Sequence, residues 1–155
     1  MADLEQLYQQ VIMDHARSRH GSGLLEDWDG ESFQVNPTCG DQVRLRVRLD
    51  RTAAPRVAAI GWEGQGCSIS MASLSLMHDL AVGRTLAEVD ELNELFLEMM
   101  HTRGGFDEDK ADRLEDAAAL EGVSRFPARV KCALLGWMAL RAAIAHALVT
   151  DPEDS

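Results

Sequence analysis

Val43-Arg44-Leu45-Arg46-Val47-Arg48-Leu49-Asp50 alternates an apolar residue with an arginine up to Leu49. Successive side chains of a strand point to opposite faces. The pattern therefore predicts a strand over 43–50 that buries Val43, Leu45, Val47 and Leu49 and leaves Arg44, Arg46 and Arg48 wet. Residues 32–36 and 56–62 read as two further strands. The links between them are short, one around Cys39-Gly40-Asp41 and one over 52–55, and this predicts an antiparallel meander.

Upstream of the strands, Leu4, Leu7, Tyr8, Val11, Ile12 and His15 recur at helical spacing, as on an amphipathic first helix. Residues 17–30 carry three glycines and no period, and read as a loop. After Ser68 the period becomes helical over 69–82 and again over 86–101. Segment 102–122 holds seven acids and three bases, which predicts a solvated acidic insertion with some helix around 111–120. Pro127 suits the first turn of a final helix running to about Val149, because its missing N–H costs nothing there. The polar stretch 150–155 reads as a frayed tail. No repeat or Gly/Ser linker divides the 155 residues. The expectation is one α+β domain over 1–155, a small three-stranded antiparallel sheet packed against about five helices.

A net charge of −11 argues against wrapping nucleic acid or an anionic membrane, and favours a basic partner or a cationic ligand. The longest apolar stretch, 132–140, reads as too short and interrupted to span a bilayer. The first 17 residues carry acids and lack a basic-then-apolar leader pattern, so a cytoplasmic location is expected. In that reducing compartment three cysteines speak for metal or thiol chemistry rather than cross-linking.

The cysteines stand in Pro37-Thr38-Cys39-Gly40-Asp41, Gly64-Gln65-Gly66-Cys67-Ser68 and Arg129-Val130-Lys131-Cys132-Ala133. Gly40 sets Cys39 and Asp41 on a turn. Cys67 opens a helix, and Cys132 lies early in the last helix, close to Arg129 and Lys131. A helix N-terminus and neighbouring positive charge both favour the thiolate, the form that binds metal and attacks sulfur. Three thiolates and one carboxylate supply the four donors of a tetrahedral zinc site or of an iron–sulfur centre. Spacing alone leaves other readings open: Cys132 as a small buried apolar residue, Asp41 as a turn cap.

These three segments, taken with Phe126-Pro127-Ala128 before the last and with Leu7-Tyr8-Gln9-Gln10-Val11-Ile12-Met13-Asp14-His15, resemble the iron–sulfur assembly family that contains IscU, SufU and the NifU N-terminal domain. Lys131, where IscU-type members carry histidine, and the insertion between the second and third cysteines are similar to the SufU-type branch. After His15 the family's Pro- and Asn-containing stretch is replaced by Ala16-Arg17-Ser18-Arg19-His20-Gly21.

The resemblance implies a SufE/NifU-like fold and zinc held by Cys39, Asp41, Cys67 and Cys132. It further implies that Cys39 accepts persulfide sulfur from a SufS-type cysteine desulfurase, in a sulfurtransferase role that also activates the desulfurase. Arg129 is read as a helper that steadies thiolate charge or contacts the partner. Downstream cluster-assembly proteins of the SUF system are further implied partners. The alternative implied function is a scaffold for a transient [2Fe–2S] cluster on the same ligands. A purely structural zinc site is a third reading, disfavoured because such sites are usually closed Cys/His cages.

The remaining candidates read more plainly. His15 is expected to be a hydrogen-bonded core histidine. His78, His101 and His146 lie outside the motifs and are not read as ligands, and the role of His20 is unreadable. Met71, Met77, Met99 and Met100 read as core filling, Trp62 and Trp137 as core or interface anchors. Ser68 and Ser70 read as helix caps. Gly64-Gln65-Gly66 is too short for a phosphate cradle.

Overall fold

The structure, a computed structural model, describes residues 2–37 and 40–149, with side chains from residue 6 onward. Helix α1 (Ala2–Ser18) precedes three strands, β1 (Gly30–Asn36), β2 (Asp41–Asp50) and β3 (Arg56–Gln65). Then come α2 (Ser68–Ala81), α3 (Leu86–Met100), α4 (Glu108–Arg113), a 3₁₀ segment (Glu115–Arg125) and α5 (Pro127–Val149). The sheet is antiparallel in the order β1-β2-β3. This is the α+β arrangement that the alternation predicts.

The central strand follows its pattern. Val43, Leu45 and Val47 are fully buried and Leu49 nearly so. On the opposite face Arg44 and Arg46 converge on Glu31 of β1, at 3.2 and 2.6 Å. The apolar face of the sheet receives α5, which lies across β1 and β2 and also meets α2; α2 in turn packs against α1. Phe96 of α3 and Trp137 of α5 stack with ring centroids 4.5 Å apart. Such a pair contributes about 0.5–1.5 kcal/mol beyond its buried area.

Several expectations are corrected. Strand β3 runs three residues past Trp62, because pairing of Gln42 with Gln65 carries the ladder through Gly64. Leu7, expected on the inner stripe of α1, is 58% exposed, since α1 meets the core further along through Val11 and Ile12. The acidic segment is only half solvated. Phe106, Leu114, Ala117, Ala118 and Leu120 are buried in the core, while its charged residues pair with α3 and the turn before it: Lys110 with Glu98 and Glu115 with Arg84. Finally, α5 spans Pro127–Val149 as expected, but its apolar stretch is not too short to span a bilayer: a window of 18 residues has a mean hydropathy of 1.7, enough by length and composition to cross a membrane. Half of that window is buried inside the protein against the sheet and α2, the place of a core helix.

Candidate metal centre

The period of two that buries Val43 and Leu45 also turns Asp41 inward, where it is 2% exposed. Asp41 is therefore the first residue of β2, paired with Asn36, and not a turn residue as expected. The turn is closed instead by Gly40, at φ +75°, whose N–H donates to Asn36 O at 2.8 Å.

A buried carboxylate must be paired. The Cys67 backbone N–H donates to Asp41 Oδ1 at 3.2 Å, and the Ser70 hydroxyl donates to Oδ2. Gly66 makes this possible, since a Cβ there would stand 2.7 Å from Asp41 Cγ and Oδ1. The Gly-x-Gly segment thus serves close approach of backbone to carboxylate.

Cys67 occupies the N-cap of α2 in an extended conformation, with no side chain capping the helix. Its Sγ lies 3.7 Å from Asp41 Oδ2 and 3.6 Å from Ser70 Oγ. The capping role expected for Ser68 and Ser70 is thereby corrected: Ser68 is the first helical residue, and Ser70 serves the carboxylate. Sequence reasoning missed this role for Ser70. Its one visible signal is position i+3 from Cys67, which puts both on one helix face.

Cys132 enters from the second turn of α5, 3% exposed, with Sγ 3.8 Å from Ala128 O. The ligand atoms of Asp41, Cys67 and Cys132 all lie within 4.8 Å of one another. Neighbouring ligands of a tetrahedral zinc ion are about 3.5–4 Å apart, so a small closure would complete the geometry. The donor set fits such a cation in kind as well. Two thiolates and a carboxylate at this range repel one another when ionised, and a divalent ion removes that cost.

Cys39, the fourth expected ligand, lies outside the described residues. Arg129 stands exposed on the first turn of α5, and its guanidinium makes no hydrogen bond or ion pair among the described residues. With Tyr8, Ile12, Ile69 and Phe126 it lines a mainly apolar groove of about 520 Å³. Lys131 points to solvent. Met71, Met77, Met99 and Met100 are core residues, as are Trp62 and Trp137.

A three-stranded sheet backed by helices, with two cysteines and an aspartate gathered where β2, α2 and α5 meet, defines a small α+β domain with a candidate metal site. Residues 7–147 match the family described as NifU-like N terminal domain, and the chain belongs to that family. It is 43% identical over 147 residues to the zinc-dependent sulfurtransferase SufU of Bacillus subtilis, covering 93% of each chain. It is 38% identical to the iron–sulfur cluster assembly scaffold protein IscU of Streptococcus pyogenes, covering 93% of this chain and 86% of the relative. Among solved structures, a putative iron–sulfur cluster assembly scaffold protein for the SUF system from Fervidobacterium islandicum superposes with a TM-score of 0.72 at 30% identity. That alignment covers 86% of this chain and 93% of the other. A NifU-like protein from Brucella abortus, at 22% identity and a TM-score of 0.81, shares the fold.

Proposed function

We propose that this protein is a zinc-bound sulfur acceptor that takes persulfide sulfur from a SufS-type cysteine desulfurase for iron–sulfur cluster assembly. The observation that carries the reading is the gathering of Asp41, Cys67 and Cys132 at one point. The likeness to the Bacillus subtilis sulfurtransferase supports it. Cys39, Asp41, Cys67 and Cys132 would hold the zinc. When bound, that ion stabilises thiolates without redox chemistry of its own.

The protein's residues divide the work. Cys67 and Cys132 are carried by helices and form the fixed side of the site. Asp41 is oriented by the Cys67 N–H and by Ser70. Cys39, two residues before Asp41 in the chain, is the acceptor. Its thiolate attacks the terminal sulfur of the desulfurase persulfide, and a new S–S bond forms on Cys39. The old S–S bond breaks, and its electron pair leaves with the desulfurase cysteine as thiolate. No electrons are gained or lost overall. Arg129 stands at the rim of the apolar groove, in position to contact the partner.

A second reading, a scaffold for a [2Fe–2S] cluster on the same ligands, is favoured by the likeness to the Streptococcus pyogenes IscU. The two are separated by the purified protein together with a SufS-type desulfurase. The acceptor is colourless, carries one zinc per chain and stimulates the desulfurase, and Cys39→Ala abolishes that stimulation. Undiminished stimulation by Cys39→Ala contradicts the acceptor role. A brown protein that passes a cluster to an apo acceptor supports the scaffold.

A further inference from the structure

His15, His20 and Asp79 bring one ligand atom each within 4.8 Å of one another, at a point twelve residues along α2 from Cys67. Asp79 and Cys67 both belong to the α2 region, but twelve residues of helix separate them by roughly 18 Å, so this cluster is distinct from the cysteine centre.

The three side chains are held in place from several sides. His15 Nδ1 shares a hydrogen bond with Ser75 Oγ at 2.7 Å. The same hydroxyl accepts from the His20 backbone N–H at 2.9 Å, and His20 O accepts from Trp62 Nε1 at 2.8 Å. The loop after α1 is thereby fastened to α2 and β3, and the exposed His20 imidazole is presented from a fixed backbone. His20 Nδ1 meets Asp79 Oδ2 at 2.6 Å, while Asp79 Oδ1 is held by His78 Nδ1 at 3.0 Å. Among the described residues neither His15 nor His20 uses Nε2 in a hydrogen bond.

The surroundings suit a cation. Beside the cluster, a small cavity of about 60 Å³ is lined by His15 and Asp79, though not by His20, together with Glu115, Asp116 and apolar side chains, and has room for roughly two or three waters. No lysine or arginine lines it.

We infer that His15, His20 and Asp79 form a second metal site, for a divalent first-row transition ion. Two imidazoles and a carboxylate are the donor set such ions take, with water in the open positions. Outer partners such as Ser75 and His78 are the kind that orient metal ligands. The site stands on this geometry alone and does not depend on the sulfur chemistry of the cysteines.

The test uses the full chain with its cysteine centre first loaded with zinc, titrated with Co²⁺ and followed by absorption and by metal analysis. One further equivalent is expected, with visible d–d bands and no thiolate-to-cobalt charge-transfer band. His20→Ala and Asp79→Asn are each expected to weaken that equivalent at least tenfold, with the zinc content unchanged. Both residues are partly exposed, and an unchanged far-UV circular dichroism spectrum certifies the fold; His101→Ala, an exposed histidine elsewhere, serves as control. Absence of the further equivalent overturns the inference. So does cobalt binding that neither variant weakens, or cobalt that shows the thiolate band.

Discussion

Asp41, the first residue of β2, and Cys67, the N-cap of α2, are joined by a backbone hydrogen bond: the Cys67 N–H donates to Asp41 Oδ1 at 3.2 Å. One bond therefore ties the edge of the hairpin to the start of the helix. It also sets the carboxylate beside the Cys67 sulfur, 3.7 Å from Oδ2. The fold thereby holds carboxylate and thiol side by side, an arrangement that favours binding of an ion between them.

Gly66→Ala probes the space this bond needs. The new Cβ would stand 2.7 Å from the Asp41 carboxylate, so either the carboxylate or the β3–α2 link must move. Zinc affinity is expected to fall about 10–100-fold, read by competition with a chromophoric chelator. Full affinity in a folded Gly66→Ala protein would show that Asp41 is not a ligand.

Ser70→Ala removes the hydroxyl that donates to Asp41 Oδ2 and leaves the helix intact. A loss of about tenfold or more in zinc affinity is expected, with an unchanged far-UV circular dichroism spectrum. Equal affinity in the two proteins would limit Ser70 to packing.

His15 gives a pH dependence. Burial first, and then the neighbouring His20, hold its folded value below the ordinary 6.5. Asp79, Asp116 and Asp14 face it and act in the opposite sense. Between the lowered folded value and 6.5 the unfolded chain binds more protons, so stability falls as pH drops through that window. His15→Gln is expected to flatten the slope of unfolding free energy from about pH 7 to pH 5, measured by urea denaturation. Asp79 works lower. Burial pushes its carboxyl up, but hydrogen bonds from His78 and His20 outweigh this and hold it below 3.8. Its contribution is present above that pH and is lost only as pH falls through the lowered value.

Thr85 anchors α3 through a capping box: its hydroxyl accepts from the Glu88 N–H at 3.1 Å, and Glu88 Oε1 accepts from the Thr85 N–H at 3.0 Å. Thr85→Ala is expected to cost about 1 kcal/mol and to lower the melting temperature by roughly 2–4 °C. Calorimetry reads this directly, and zinc content should not change.

Much of this was legible in the chain. The alternation around Leu45 gives the central strand and its buried face, and Pro127 marks the start of α5. The cysteine settings point to the site. What was not legible depends on long-range docking. Extending the alternation backwards by one period would have turned Asp41 inward, but the glycine beside it suggests a turn. Ser70 resembles a cap until β2 brings a carboxylate to it from 29 positions away. His20 and Asp79, 59 positions apart, meet only because the loop after α1 is fastened to α2 and β3. The acidic segment conceals its buried residues because Leu114 and the consecutive run Ala117–Leu120 follow neither helical nor strand spacing and stand among charges on a 3₁₀ path.

The most direct test of sulfur acceptance is mass spectrometry of the zinc-loaded protein after brief incubation with a SufS-type desulfurase and cysteine. The intact chain should gain the mass of one sulfur atom, sensitive to reductant and located by peptide mapping on Cys39. In Cys39→Ala, neither Cys67 nor Cys132 should carry it. Sulfur found on Cys67 or Cys132 of the wild type, or none on Cys39 while the desulfurase turns over, would contradict the assignment.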